Sequence, residues 1–187
     1  RRQWKDTTEK ERLLGVSLTG IMDHKILSGD IHNKALLNTL LVNLKDKAVA
    51  VNKMWSKRFG INQATAITCV KPSGTVSQLV NAASGIHARH NDYYIRRVRG
   101  DKKDPLTQFL KSQNVPIEDC VMKPDSTSVF SFVEKAPDGA ITRNRRTAIE
   151  QLDHWLAYAQ HWCEHKPSVT ISVNEDEWLG VADWCWR

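Results

Sequence analysis

The chain has little cysteine. Its four residues of that type, Cys69, Cys120, Cys163 and Cys185, are widely scattered and include no Cys-x-x-Cys pair. This spacing excludes a zinc ribbon and a disulfide framework, and reduced thiols are the simplest expectation. Long apolar runs are also missing. No stretch approaches the roughly 18 apolar residues that a membrane-crossing helix needs, and the opening Arg1-Arg2-Gln3-Trp4 shows no secretory-leader pattern. Neither Gly-x-x-x-x-Gly-Lys-Ser/Thr nor Gly-x-Gly-x-x-Gly occurs, so the standard nucleotide-fold fingerprints give no support. No internal repeat is visible. Acidic charge is outnumbered, with 27 Lys and Arg against 21 Asp and Glu and a net charge of +6, which favours anionic partners.

What is present is the composition of a globular chain, 41% hydrophobic and 26% charged, long enough for one domain with an appendage. Basic charge gathers at 89–103, around Arg96, Arg97 and Arg99, and at 143–146. Apart from Tyr93 and Tyr94 these clusters lack the interleaved aromatics of a strand-stacking platform, and each is expected to be a solvated basic face.

Residues 1–12 read as a helix end or loose segment, and LLGVSLT at 13–19 as a first strand. Asp30 is a plausible N-cap for a long helix ending near Phe59, with Gly60 after it. Leu37, Leu41, Leu44, Ala48, Val51 and Trp55 form its apolar stripe, and a break is expected near 42–47 because the run is long. The segment 81–100 reads as irregular. Asp104-Pro105 opens a short helix, and SVFSFVE at 128–134 is a third strand. Thr147 with Glu150 forms a capping box for a helix striped by Ile149, Leu152, Leu156, Ala159 and Cys163. SVTISV at 168–173 is a fourth strand, and Asn174 precedes a last helix. Four successive strand–helix units predict an α/β domain with a mainly parallel sheet, open or closed into a barrel.

One stretch, ATAITCVKPSGTVSQLV at 64–80, organises the rest. An apolar strand at 64–70 looks covered on both faces. Pro72 ends it, having no N–H for a ladder. Gly74 lets a ligand approach closely, and Ser73, Thr75 and Ser77 place hydroxyls where the first N–H groups of a helix lack partners. Such a turn suits an anion, phosphate above all; on local chemistry alone an ordinary strand–turn–helix with a Ser or Thr cap is the favoured reading. Cys69, two residues before the turn, is either a nucleophile near that anion or, as expected of an apolar strand, a small core residue. His154, His161 and His165 fall within about 20° of one helix face, but the first two lie about 10 Å apart along the axis, too far to share a metal. They are expected to form a solvated or partner-facing edge, with no metal. Trp155, Trp162, Trp178, Trp184 and Trp186 are expected to serve packing.

GVSLTGIMD at 15–23, ITCVKPSGTVSQL at 67–79, SGIHARHNDYYIRRVRG at 84–100 and HKPSVTISVNEDEW at 165–178 occur in this order. Together they resemble ribonucleotide reductases, most nearly the adenosylcobalamin-dependent class II enzymes. That resemblance implies a ten-stranded α/β barrel of two five-stranded parallel halves. The four strand–helix units here would be most of its second half, and residues 1–187 a barrel piece cut at both ends. It implies that the turn Pro72, Ser73, Gly74, Thr75 and Val76, with Ser77 following, holds the substrate's phosphate. The family's reaction makes deoxyribonucleotides for DNA replication, replacing the ribose 2′-hydroxyl by hydrogen through a cysteine thiyl radical. The implied cofactor is adenosylcobalamin, though no residue matches a ligand to it.

The family's Asn-Pro-Cys-Gly-Glu finger loop is absent, so no catalytic role passes to any cysteine, and the isolated chain is expected to be inactive. Implied partners are a ribonucleoside di- or triphosphate, the remainder of the reductase chain or a complementing subunit, and a thiol reductant such as thioredoxin, in the cytoplasm. Neither a membrane nor nucleic acid is an expected partner. The competing reading is a non-catalytic phosphate- or nucleic-acid-binding α/β module, motivated by the two basic clusters.

Overall fold

The computed structural model describes residues 1–29, 34–74 and 76–187. In chain order the elements are α1 (Arg2–Glu11), β1 (Val16–Ser17), a 3₁₀ turn (Ile21–Asp23), α2 (Lys34–Phe59), β2 (Thr68–Cys69), α3 (Val76–Leu79), β3 (Tyr93–Asp101), α4 (Pro105–Ser112), β4 (Ile117–Asp119), β5 (Thr127–Lys135), α5 (Ala148–His161), a 3₁₀ turn (Glu175–Glu177) and α6 (Trp178–Trp186). They divide into two units, one of residues 1–89 and 138–187, the other of residues 90–137.

In the larger unit β1 and β2 pair in parallel, Val16 opposite Thr68 and Ser17 opposite Cys69. Both β2 residues are buried, as expected of a strand covered on two faces. The core gathers Ile21, Met22, Leu37, Leu41, Val70, Ile86, Tyr158 and Trp162. α2 runs unbroken for 26 residues, contrary to the expected break at 42–47: no Pro or Gly interrupts it, and neither length nor surface charge breaks a helix. Of its stripe only Leu37 and Leu41 are buried; Leu44, Val51 and Trp55 are exposed. The expected N-cap Asp30 lies outside the described residues. Residues 1–12 are not loose but carry α1, closed by Arg12 in the left-handed region with φ 47°.

α5 begins where the capping box predicts. The Thr147 side chain accepts from the Glu150 N–H, and Glu150 accepts from the Thr147 N–H. Its buried face, however, is Ala148, Gln151, His154 and Tyr158; of the expected stripe, Ile149, Leu152, Leu156 and Ala159 are only half-buried, and Cys163, just past the helix, is buried in the core. The polar residues go inward because loop groups await them: Tyr158 Oη donates to the Leu27 carbonyl at 2.8 Å, and Gln151 Nε2 to that of Ser172 at 3.2 Å. Residues 168–173 are not a strand among the described residues. Side chains of α5 hold this backbone instead, Gln151 at Ser172 and Trp155 at the carbonyl of the preceding Pro167. Trp162 is buried, whereas Trp178 and Trp186 are exposed rather than packed.

The smaller unit corrects two further expectations. The stretch read as irregular contains β3, and the expected third strand, β5, pairs antiparallel between β3 and β4. The sheet of this unit is therefore antiparallel, not part of a parallel one. Gly100 sits opposite Ser128, and a Cβ there would lie 2.5 Å from Thr107 Oγ1, so glycine admits α4 against the strand. α4 opens at Asp104, whose side chain accepts from the Leu106 N–H, with Pro105 at its first position.

Candidate functional site

The turn 71–74 leaves the buried end of β2 and comes to the surface. Lys71, Pro72, Gly74 and Val76 are exposed, Ser73 is half-buried and Ser77 is buried. Thr75 lies outside the described residues. Several bonds fix the turn from below. The Lys71 N–H donates to Ser17 Oγ at 3.0 Å and the Ser73 N–H to Ser84 Oγ at 2.8 Å. Ser73 Oγ lies 3.1 Å from Thr19 Oγ1. The buried Ser77 hydroxyl donates to the Ser73 carbonyl, tying α3 to the turn from inside. A Cβ on Gly74 would meet no atom within 4 Å, so the outer side of the turn is open to a ligand.

The shelf beneath the turn is the segment 81–85. Thr19 Oγ1 donates to the Ala83 carbonyl at 3.0 Å and accepts from the Gly85 N–H at 3.2 Å. Gly85, with φ 53°, approaches so closely that a Cβ would lie 2.9 Å from the Lys71 carbonyl oxygen, a position only glycine fills without strain. Below the shelf lies a charged pair. Asp23 accepts from Arg89 Nε and Nη2 at 3.0 and 2.9 Å, and from the Ala83 N–H at 2.7 Å. Arg89 is 5% exposed, so it is not part of a solvated basic face. It was grouped with the Arg-rich run only because it is its neighbour in sequence. Thr19, Asp23, Ser84 and Arg89 were not singled out from the sequence. Their one signal was membership of the GVSLTGIMD and SGIHARH blocks.

The other edge of β2 is closed by residues 162–164. Glu164 accepts from the N–H groups of Ile67 and Thr68 at 2.5 and 2.8 Å and from the Thr68 hydroxyl at 3.2 Å. Trp162 Nε1 donates to the Cys69 carbonyl at 2.7 Å. Partial desolvation works to raise the Glu164 pKa. The hydrogen bonds from Thr68 and Ile67 and the charge of Lys45 outweigh it and hold the carboxyl below its usual value.

The histidines do not form an edge: His154 is buried, His161 half-buried and His165 exposed. Cys69 is buried as a core residue. Among the described residues no three His, Cys, Asp or Glu side chains gather as a metal set. A cavity of about 310 Å³ lined by residues of α2 and α5, Lys34, Asn38, Asp153 and His154 among them, is of small-ligand size. It does not fit a corrin with its side arms, and no described residue is assigned to cobalamin.

In the search of solved structures the chain matches a B12-dependent class II ribonucleotide reductase. The TM-score is 0.78 and the identity 24%, over 96% of this chain and 28% of the other. The fold is thus that of a segment of such a reductase. In sequence it is similar to adenosylcobalamin-dependent ribonucleoside-triphosphate reductases. The Euglena gracilis enzyme is 29% identical over 176 residues, 92% of this chain and 24% of the relative. That of Lactobacillus leichmannii is 26% identical over 200 residues, 92% and 27%. A probable one from Dictyostelium discoideum is 28% identical over 183 residues, 92% and 22%. The chain thus spans about a quarter of the length of the curated relatives it matches. No family model matches it. The resemblance carried by the four sequence blocks extends over nearly the whole chain.

Proposed function

We propose that this chain is part of an adenosylcobalamin-dependent ribonucleotide reductase and that it supplies the turn holding the substrate's phosphates. The larger unit would lie in the C-terminal half of a ten-stranded α/β barrel, with β1 and β2 as two of its parallel strands. The substrate class is a ribonucleoside triphosphate, from the names of the relatives. The cofactor would supply the radical when bound to the complete enzyme, and a thiol reductant such as thioredoxin would return that enzyme's oxidised cysteine pair to thiols, in the cytoplasm. The residues of this chain bind and orient. The observation that carries the reading is the turn itself, pinned from below by Ser17, Thr19 and Ser84 and open above Gly74.

Phosphate oxygens would meet the Ser73 hydroxyl and the backbone at Gly74, Thr75 and Val76, with Pro72 and the buried Ser77 shaping the turn. A non-catalytic nucleic-acid module is not favoured. Its motive was the basic clusters, and Arg89 is paired with Asp23, Arg97 with Glu118, and Arg146 donates to the Ser28 carbonyl.

Gly74→Val in the complete reductase tests the reading. Because a Cβ at position 74 would meet no atom within 4 Å beyond its chain neighbours, the fold is expected to survive while ligand approach is blocked. CTP affinity should fall about tenfold or more, as for the loss of a hydrogen bond to a charged group, with cytidine affinity unchanged. Unaltered CTP affinity by equilibrium dialysis removes the phosphate assignment.

A further inference from the structure

The ion pair of Arg89 with Asp23 does more than neutralise two charges. Arg89 Nη1 donates to Asn81 Oδ1 at 3.1 Å and Nη2 to the Asn81 carbonyl at 2.6 Å. Asn81 has φ 47°, the left-handed conformation of a residue that closes a helix. Its N–H donates to the Gln78 carbonyl, and the Ala82 N–H donates to that of Ser77. Arg89 therefore grips the C-terminal end of α3, while Ser73 and Ser77 tie the other end to the turn. The Asp23 carboxylate takes the Ala83 N–H, and the Ala83 carbonyl is held by the Gly20 N–H at 2.7 Å and by Thr19 Oγ1. The next residue, Ser84, receives the Ser73 N–H. One buried fork thus fixes both the far end of α3 and the shelf on which the turn rests. Arg89 is itself anchored through its backbone, its N–H donating to the Ile141 carbonyl and its carbonyl accepting from the Arg143 N–H. A planar guanidinium with five donors can hold two carboxylate oxygens and an amide group together; an ammonium cannot.

We propose that Asp23 and Arg89 are positioning residues of the phosphate turn, setting the register of Ser73 and the direction of α3 without touching the substrate. This rests on the phosphate reading of the turn. It assigns to the pair a share of affinity that appears only when the ligand carries phosphate.

The test compares CTP with cytidine binding in the complete reductase, by equilibrium dialysis, together with kcat at saturating CTP. Arg89→Met and Asp23→Asn should weaken CTP about tenfold, the scale of one hydrogen bond to a charged group. Cytidine binding should be unchanged, any fall in kcat at saturating CTP should be smaller than the fall in CTP affinity, and Arg89→Lys should restore part of the loss. Thr147→Ala, which removes a helix cap elsewhere in the same unit, should lower the melting temperature without changing the CTP-to-cytidine ratio. If Gly74→Val abolishes the phosphate-dependent affinity while Asp23→Asn and Arg89→Met leave it intact, the positioning role falls and the turn assignment stands. If Gly74→Val also leaves it intact, both fall. Equal losses for CTP and cytidine that track the melting temperature, as in a general weakening of the fold, also overturn the proposal. Should Arg89→Met not fold, the near-isosteric Asp23→Asn decides.

Discussion

His154 packs edge-on against Tyr158, ring centroids 5.1 Å apart. Burial, and then the nearby charge of Arg146, pushes its pKa down to about 3. An unfolded histidine takes up its proton near pH 6.5. Between these values the unfolded chain binds more protons than the folded one. The contribution is therefore fully present above pH 6.5 and is lost as pH falls toward 3, by about 1.4 kcal/mol per pH unit well inside the window. Glu164 and Glu177 are held below the usual carboxylate range, so they add to acid loss only at lower pH. Stability should thus decline between pH 6.5 and 5, and His154→Leu should flatten that part of the profile. Urea midpoints at pH 7, 6 and 5 check this; an unchanged slope in the variant would show that another group titrates. The sequence did not disclose the burial of this residue. Histidines at offsets of seven and eleven look like a surface edge until Tyr158 and Gln151, at spacings of four and three, are seen to face inward beside His154. Arg89 was hidden in the same way, since a buried fork and a solvated arginine share one letter and differ only in having Asp23 across the fold.

At the scale of elements, local chemistry that is complete within a few residues was legible. The caps of α4 and α5 stand as read, because each acceptor and its donor are neighbours in the chain. Pairing between distant segments was not legible. The alternation of β3 is written in Tyr, Ile and Arg rather than in apolar and polar residues, and its antiparallel partner β5 lies some thirty residues on. The strands of the larger unit are two residues each, too short for periodicity to show. β2 is held at its second edge by a carboxylate in place of a strand, and this has a measurable consequence. Glu164→Ala leaves the N–H groups of Ile67 and Thr68 without that acceptor. The cost should be about 1–3 kcal/mol, as for a buried donor stripped of its partner. Glu164→Gln, which retains one carbonyl acceptor, should recover part of it. Denaturant unfolding of the two variants beside the parent measures the difference; equal stabilities would mean that the clamp holds nothing.

At the scale of the molecule, the surface and the thiols argue together about what the chain can do alone. Leu79, Val121, Met122, Val133, Leu179 and Trp186 each keep more than four-fifths of their surface exposed. The chain spans about a quarter of the reductases it resembles. Thiyl-radical reduction needs a cysteine that reaches the substrate. Cys69, Cys120 and Cys163 are buried, and only Cys185 of the four is exposed. Burial, with Cys69 beside it, pushes the Cys163 thiol up to about 11, far from the ionised form that reacts. The N–H groups of Met122 and Lys123, with Arg99, draw the Cys120 thiol down, but with 5% of its surface exposed access rather than acidity limits it. The native 187-residue chain should therefore release one equivalent of thionitrobenzoate from Ellman's reagent, and four after unfolding in guanidinium. It should also self-associate as its concentration rises in sedimentation velocity, and show no turnover of ribonucleotide with cofactor and dithiol supplied. Rapid titration of two or more thiols in the native state would place a second cysteine at the surface. Turnover by the chain alone would locate the reacting cysteine within these residues and overturn the division of labour proposed here, in which this segment grips the phosphates and the remainder of the polypeptide carries the radical.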